Sequence, residues 1–431
     1  MMGFARQLFL VAAFCAALLA PARPHAQQLT PHPIQLANGK SLTLNLPSNF
    51  TINIVAQGLK RVRFMTMSPD HRVFATDMHD LGDNTLGRVY ILEGWNVKTG
   101  TFAKVTPYLE HLRNPNNIAF YTEPAQNGKP AQSWLYLPLT DRLLRYKYSA
   151  GDHAPTGPPE VLAHYPDYGL NYKYGGWHLT RTVAFAALHG KTRLYVTVGS
   201  SCNACNEKEE IRATLTVMDP DGSHQQIIAR GLRNAVGMEY LSFIDGGALF
   251  ATNMGADHLG DGAPEDTFFE LDSNARPVAD GVNYGWPTCY FDHGVAHADR
   301  LIADPKGSDH VVPAPPAGPP PQQFDCAKVP AAFTTFAAHS SPLGLEYFDS
   351  GNIALANSFL VALHGASHVE IGTGYRVVRF DAADRKPLDF ITGFLDHGKV
   401  KGRPCGMLRV GRDAFLLTDD HDGVIYYVHV R

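Results

Sequence analysis

GRPCGMLRV, DAFLLTDD and GVIYYVHV follow one another from Gly402 to Val430. A polar lead-in opens an apolar run, a turn separates it from a second apolar run ending in polar residues, and a further turn precedes a third run. Short runs of this kind, rich in β-branched and aromatic residues, read as antiparallel strands. The pattern recurs upstream. SPLGLEYF, NSFLVALHG and GYRVVRF span Ser341 to Phe380; LRNAVGMEY, GALFATNMGAD and TFFEL span Leu232 to Leu271. HLTRTVAF, TRLYVTVGSSC and ATLTVMD span His178 to Asp219; NPNNIAF, SWLYLPLTD and RLLRYKY span Asn114 to Tyr148. RFMTMSPDHRVFATDMHD with GRVYIL, Arg63 to Leu92, is the first copy. Six copies predict an all-β chain folded as a six-bladed β-propeller, with paired β-sandwiches as the competing arrangement. SLTLNLPSNFTINIVAQGL (Ser41 to Leu59) alternates in hydrophobicity and is expected to lend an outer strand to the last blade, joining the ends of the ring.

Composition agrees with a large core. Of 431 residues, 45% are hydrophobic and 18% charged, which excludes a disordered or coiled-coil chain. Lys plus Arg total 37 against 41 Asp plus Glu, without a long basic run, so no nucleic acid partner is expected. Met1 to Arg6 is a basic start, Leu8 to Ala20 an apolar run, and Pro21 to Ala26 ends in small residues. Residues 1–26 therefore read as a signal peptide cleaved near Ala26, and 27–431 as one propeller domain, periplasmic or secreted, with no membrane span in the mature chain. A Pro-rich insertion is expected at about 282–338, with six prolines between Val311 and Pro321. Cys289 and Cys326 bracket it and are disulfide candidates in an oxidising compartment. Cys202 and Cys205 form CNAC; lacking a second pair for zinc, they read as a local disulfide or redox pair.

Propeller geometry locates the chemistry. The loop leading into each innermost strand and the loop after each second strand emerge on the same face. The first set holds Asn116, Asn117, His178, Arg181, Arg233, Asn234 and Arg403. The second holds Asp77, Asp141, the Ser200 to Cys205 loop, Asn253 to Asp257, His364, Asp419 and Asp420. Arg, Asn and His above an apolar barrel suit an anionic, planar ligand held by forked hydrogen bonds. The Asp residues alone read as turn caps. Asp257, Asp261, Glu265 and Asp266 share one loop that could hold an ion, though without EF-hand spacing.

HLTR at 178, VGSSCNAC at 198, RGLRNAVGM at 230, NMGADHLGDGAPED, GVNYGWP at 281, PLGLEY at 342, GYRVVRF and GRPCGM at 402 occur in one order. Together they resemble the glucose/sorbosone dehydrogenase family, exported six-bladed propellers that use pyrroloquinoline quinone and calcium. The resemblance implies that His178 is the general base and that Arg233 polarises a quinone oxygen. It implies cofactor contacts from Arg181, Asn234, His364, Arg403 and Asn117. It also implies calcium (Ca2+) at Met254, Gly255, Ala256 and Asp257. The substrate would be an aldose or a related sugar alcohol or aldehyde, the electron acceptor a separate cytochrome or quinone. Departures stand beside the matches: His364-Gly365-Ala366-Ser367-His368 replaces a lysine or tryptophan-asparagine-arginine cluster, and Pro404 follows Arg403. A non-catalytic carbohydrate- or protein-binding propeller and a calcium-dependent, lactonase-like hydrolase are the alternatives.

Overall fold

Val73–Asp77, Ala248–Asn253, Ser358–Leu363 and Ala414–Asp419, each the second strand of its repeat, are buried at every position. A strand covered on both faces needs a continuous apolar run. That is why these runs carry the clearest sequence signal. The computed structural model describes residues 28–96, 99–126, 128–167, 178–279, 281–299, 324–349, 351 and 355–431. The expected signal peptide and the Pro-rich stretch around Val311 to Pro321 lie outside them.

Six antiparallel sheets form the blades of a β-propeller. Blade 1 runs Val62–Met67, Val73–Asp77, Gly87–Asn96, Thr101–Leu112, and blade 2 Ala119–Glu123, Gln132–Pro138, Arg142–Tyr148, Glu160–His164. Blade 3 is Arg181–Leu188, Lys191–Val198, Thr214–Met218, Gln226–Arg230; blade 4 is Ala235–Leu241, Ala248–Asn253, Asp266–Ser273, Thr334–Phe336. Blade 5 comprises Pro342–Phe348, Ser358–Leu363, Arg376–Asp381, Leu388–Ile391. Blade 6 takes Pro404–Gly411, Ala414–Asp419 and Val424–Val430 from the end of the chain and Phe50–Ala56 from near its start. Phe50 stands opposite Val430 and Ile54 opposite Tyr426, so the expected closure is present. The 282–338 excursion is narrower than its expected bounds. Val282–Asn283 pairs with the outer strand of blade 3, and Thr334–Phe336 is itself the outer strand of blade 4.

The innermost strands of successive blades pack side by side around the axis, and second-strand threonines stitch them together. Thr76 Oγ1 donates to Asn116 O at 2.7 Å, Thr197 Oγ1 to Ala235 O at 2.8 Å, Thr252 Oγ1 to Leu343 O at 2.8 Å and Thr418 Oγ1 to Arg63 O at 2.6 Å. Each bond satisfies a carbonyl that blade packing takes out of water. Between blades 4 and 5 the seam is aromatic, with Phe250 and Phe359 rings 5.0 Å apart and Phe268 and Phe380 5.3 Å apart.

Candidate functional site

Loops that open the innermost strands of blades 1, 3, 4, 5 and 6, with loops that follow second strands, converge on a cavity of about 440 Å³ at one end of the axis. Its walls are Met78, Leu81, Leu179, Val236, Met254 and Leu343. Its polar lining comes from Arg61, Arg63, His178, Asn234, His364, Arg403 and His421. A carboxylate lies beneath these cations: Asp420, fully buried, accepts from Arg63 Nη1 at 2.5 Å and faces Arg61 Nη1 at 3.3 Å and His364 Nε2 at 2.8 Å. Burial tends to raise its acid, but His364 and the two guanidiniums outweigh this and hold it far below the carboxylate range. His364 is lowered, first by burial.

His178 sits at φ 48° on the rim of blade 3. Gly199 makes that place possible, since a Cβ there would lie 2.6 Å from His178 Cβ and 2.7 Å from Asn234 Oδ1. His178 Nδ1 is 3.1 Å from Ser200 O and 2.9 Å from Ser200 Oγ. The carbonyl can only accept, and the hydroxyl donates its own proton to Cys202 O at 2.7 Å. Nδ1 therefore carries the ring proton, which leaves Nε2 as the basic nitrogen. Burial, followed by the Arg233 cation, holds the imidazole well below its ordinary value, so it is neutral at pH 7.

The other expected site residues divide. Asn234, His364, Arg403 and Met254 reach the cavity with His178. Arg403 is anchored there, donating to Gly365 O at 2.8 Å, Ala366 O at 3.0 Å and the Tyr375 hydroxyl at 3.0 Å. It thus braces the altered fifth-blade turn as well as charging the cavity. Arg181 does not face the cavity. It is the first residue of its strand, buried, and its guanidinium donates to the His178 and Thr180 carbonyls. Asn117 is also turned away, its Oδ1 accepting from Val183 N at 2.9 Å across the seam of blades 2 and 3. Arg233 lies behind the cavity wall, bound to Asn203 O, Asn203 Oδ1, Gly255 O and Asp257.

That last arrangement bears on the calcium expected at Met254, Gly255, Ala256 and Asp257. Gly255 O accepts from Arg233 Nη1 at 2.6 Å, while the Asp257 carboxylate meets Arg233 Nη2 at 2.9 Å and His339 Nδ1 at 3.2 Å. Buried Asp266 accepts from Gly255 N and Ser341 N. The oxygens of Gly255 and Asp257 are thus matched to side-chain cations, and as folded these two do not fit calcium. Among the described residues, the metal-capable trio within mutual reach is Cys202, Cys205 and Glu207, and its two sulfurs are joined in a disulfide. Cys289 and Cys326 form the second disulfide.

A quinone bearing carboxylates does fit the cavity. Arg61 Nη1 is buried without a hydrogen bond among the described residues, though within ion-pair distance of Asp420. Unsaturated guanidinium donors between apolar walls suit a flat anion. Sequence reasoning passed over Arg61, Arg63 and His421. The signal was the RVR tripeptide just ahead of the first repeat, where the other copies carry Arg or Asn.

The fold and cavity define a six-bladed propeller with a cationic, apolar-walled cavity at one end of its axis. By sequence the chain belongs to the TrAA12-like family, whose model matches residues 44–392. No curated protein matches it. Among solved structures, the holo pyranose dehydrogenase PQQ domain of Coprinopsis cinerea is 17% identical, with TM-score 0.65 over 92% of this chain and 98% of that one. A family AA12 carbohydrate-active enzyme of Trichoderma reesei, solved in a calcium form, is 15% identical, with TM-score 0.63 over 95% and 100%. The soluble aldose sugar dehydrogenase of Escherichia coli is 12% identical, with TM-score 0.54 over 89% and 100%. These neighbours bear out the propeller, and the family agrees with the resemblance drawn from the motifs.

Proposed function

We propose that the protein is a quinone-dependent sugar dehydrogenase that oxidises an aldose or related sugar alcohol or aldehyde, with His178 as its base. One observation carries the reading: a neutral imidazole, its tautomer set by Ser200 so that Nε2 is the basic nitrogen, lines a cationic cavity with apolar walls. Pyrroloquinoline quinone, when bound, supplies the hydride acceptor. Arg61, Arg63 and Arg403 lend the charge that holds its carboxylates, and Leu179, Val236 and Leu343 exclude water from its face. His178 takes the substrate hydroxyl proton on Nε2 as the C–H hydride departs, leaving a carbonyl product. Electrons then pass to a separate carrier. The leader-like residues 1–26 and two disulfides support an exported protein. A calcium-dependent hydrolase is disfavoured, because Arg233 occupies two of the oxygens expected for the ion, Gly255 O and one of the Asp257 carboxylate.

The test is dye reduction over a panel of aldoses, with quinone alone and with quinone plus calcium, alongside quinone titration by absorbance. Turnover with quinone alone accords with the turn as folded. A strict calcium requirement would mean that Arg233 leaves Gly255 and Asp257. His178→Ala is expected to lose about 100-fold or more in kcat while its quinone affinity is retained. Undiminished turnover in that variant, or no quinone binding by the native protein, overturns the reading.

A further inference from the structure

Ser200 to Cys205 joins the two halves of the site, and its disulfide has no part in the chemistry above. Ser200 N donates to Arg233 O at 2.8 Å, while Ser200 O and Oγ hold His178 Nδ1. Cys202 O in turn holds the Ser200 hydroxyl. Two residues of the ring closed by Cys202–Cys205 thus act on the site, because Asn203 lies between the cysteines. Asn203 O accepts from Arg233 Nε at 2.9 Å and from Trp286 Nε1 at 3.0 Å; Asn203 Oδ1 accepts from Arg233 Nη2 at 2.9 Å and from Asp257 N at 2.8 Å. Cys202 is buried against Ala213 and Trp286.

Both oxygens of one asparagine are aimed at one guanidinium, which demands a narrow range of backbone angles at Asn203. A loop of this composition is free to adopt many others, and a bond between its neighbours removes most of them. The same constraint sets where the Cys202 carbonyl points, and so where the Ser200 hydroxyl and the His178 ring point. Small misplacements of a base are costly to rate.

Resting on the dehydrogenase reading, we propose that the Cys202–Cys205 disulfide is a clamp that keeps His178 and Arg233 in mutual register, with Ser200 and Asn203 as the positioning residues through which it acts. The clamp makes turnover sensitive to dithiols. Reduction by a dithiol delivers two electrons and two protons to the S–S bond, gives two thiols and the oxidised dithiol, and releases both contacts together.

The experiment compares the native protein with Ser200→Ala, Ser200→Thr, Asn203→Ala and the Cys202→Ser/Cys205→Ser double variant, using quinone titration by absorbance, kcat and KM, and the pH profile of kcat/KM. The double variant is expected to lose roughly tenfold or more in kcat with KM for sugar little changed. Ser200→Ala should move the acid limb to lower pH, since the lost acceptor favoured the imidazolium, and Ser200→Thr should restore it. Asn203→Ala should release Arg233, whose charge helps hold the His178 imidazole low, and so move the acid limb to higher pH. A folded double variant with native kcat and pH profile overturns the clamp. If that variant fails to fold, the two alanine variants decide, and a native pH profile in both would overturn it. A native protein that binds no quinone refutes the dehydrogenase reading and this one together. Native turnover with unaffected variants refutes this one alone.

Discussion

Arg61 and Arg63 stand two positions apart at the start of blade 1, yet their guanidiniums have different work. Arg63 is buried and spends Nε on Asn116 Oδ1 and Nη1 on Asp420. Arg61 lines the cavity, its Nη1 within ion-pair distance of Asp420 but without a hydrogen bond among the described residues. Arg61→Ala should therefore fold normally and raise the quinone Kd about tenfold or more, the value of one charge-assisted hydrogen bond; absorbance titration measures it. Arg63→Ala should instead destabilise the protein, by about 3 kcal/mol or more, because it strips a buried carboxylate of its closest partner. The imidazole of His178, held below its ordinary pKa, predicts that kcat/KM stays on its plateau below pH 6.5, the ordinary value, and falls only in stronger acid. Five cavity residues, His178, Asn234, Met254, His364 and Arg403, were legible in the sequence because ring geometry alone brings their loops together. Arg181 and Asn117 belong to the same loops but point into blade seams, and side-chain direction at a strand's first residue is set by packing that spacing does not encode.

At the scale of the strand, most of the inner runs were readable because burial on both faces writes continuous hydrophobicity into them, though Ala119–Glu123 has no fully buried position. Most of the fourth strands were not. Glu160–His164 and Thr101–Leu112 are largely exposed or half-buried, so no apolar period marks them. The closure by Phe50–Ala56 was readable because it alternates and has no partner of its own among its neighbours in sequence. The glycine of PCGM has a steric meaning that appears only in the ring. A Cβ at Gly406 would lie 2.4 Å from Arg63 O and 3.0 Å from Phe64 Cα, where the inner strands of blades 6 and 1 meet. Gly406→Ala must push those strands apart at a cost of about 1–3 kcal/mol. Since Arg63 rides on the displaced strand, the expected outcome is a lower melting temperature together with weaker quinone binding. A melting temperature reduced with unchanged quinone affinity would show that the cavity tolerates movement at this seam.

Across the whole molecule, charge is arranged along the axis. Cations crowd the cavity, whereas further along the inner strands two acids from neighbouring blades come together: Glu239 of blade 4 accepts from Tyr347 N, and Glu346 of blade 5 from Arg409 N. Glu239 Oε2 is buried with no hydrogen bond among the described residues. Burial and the neighbouring carboxylate raise the Glu239 acid, and burial brings Glu346 up to about 7. Above the ordinary carboxylate value of 4.5 the unfolded chain has released these protons while the fold still holds them. The stability the pair contributes is therefore complete in acid and lost as pH rises through about 7. Glu239→Gln removes one charge and keeps the shape, so Glu346 can ionise without a like-charged neighbour. The variant should melt higher than the native protein at pH 8, by on the order of 2 °C, and should match it closely at pH 5, where the native pair is already protonated. Thermal unfolding at the two values measures this directly. An equal gain at both pH values would assign the effect to packing, and a loss at pH 8 would mean that the Glu239 carboxylate is ionised in the fold and supports the seam between blades 4 and 5.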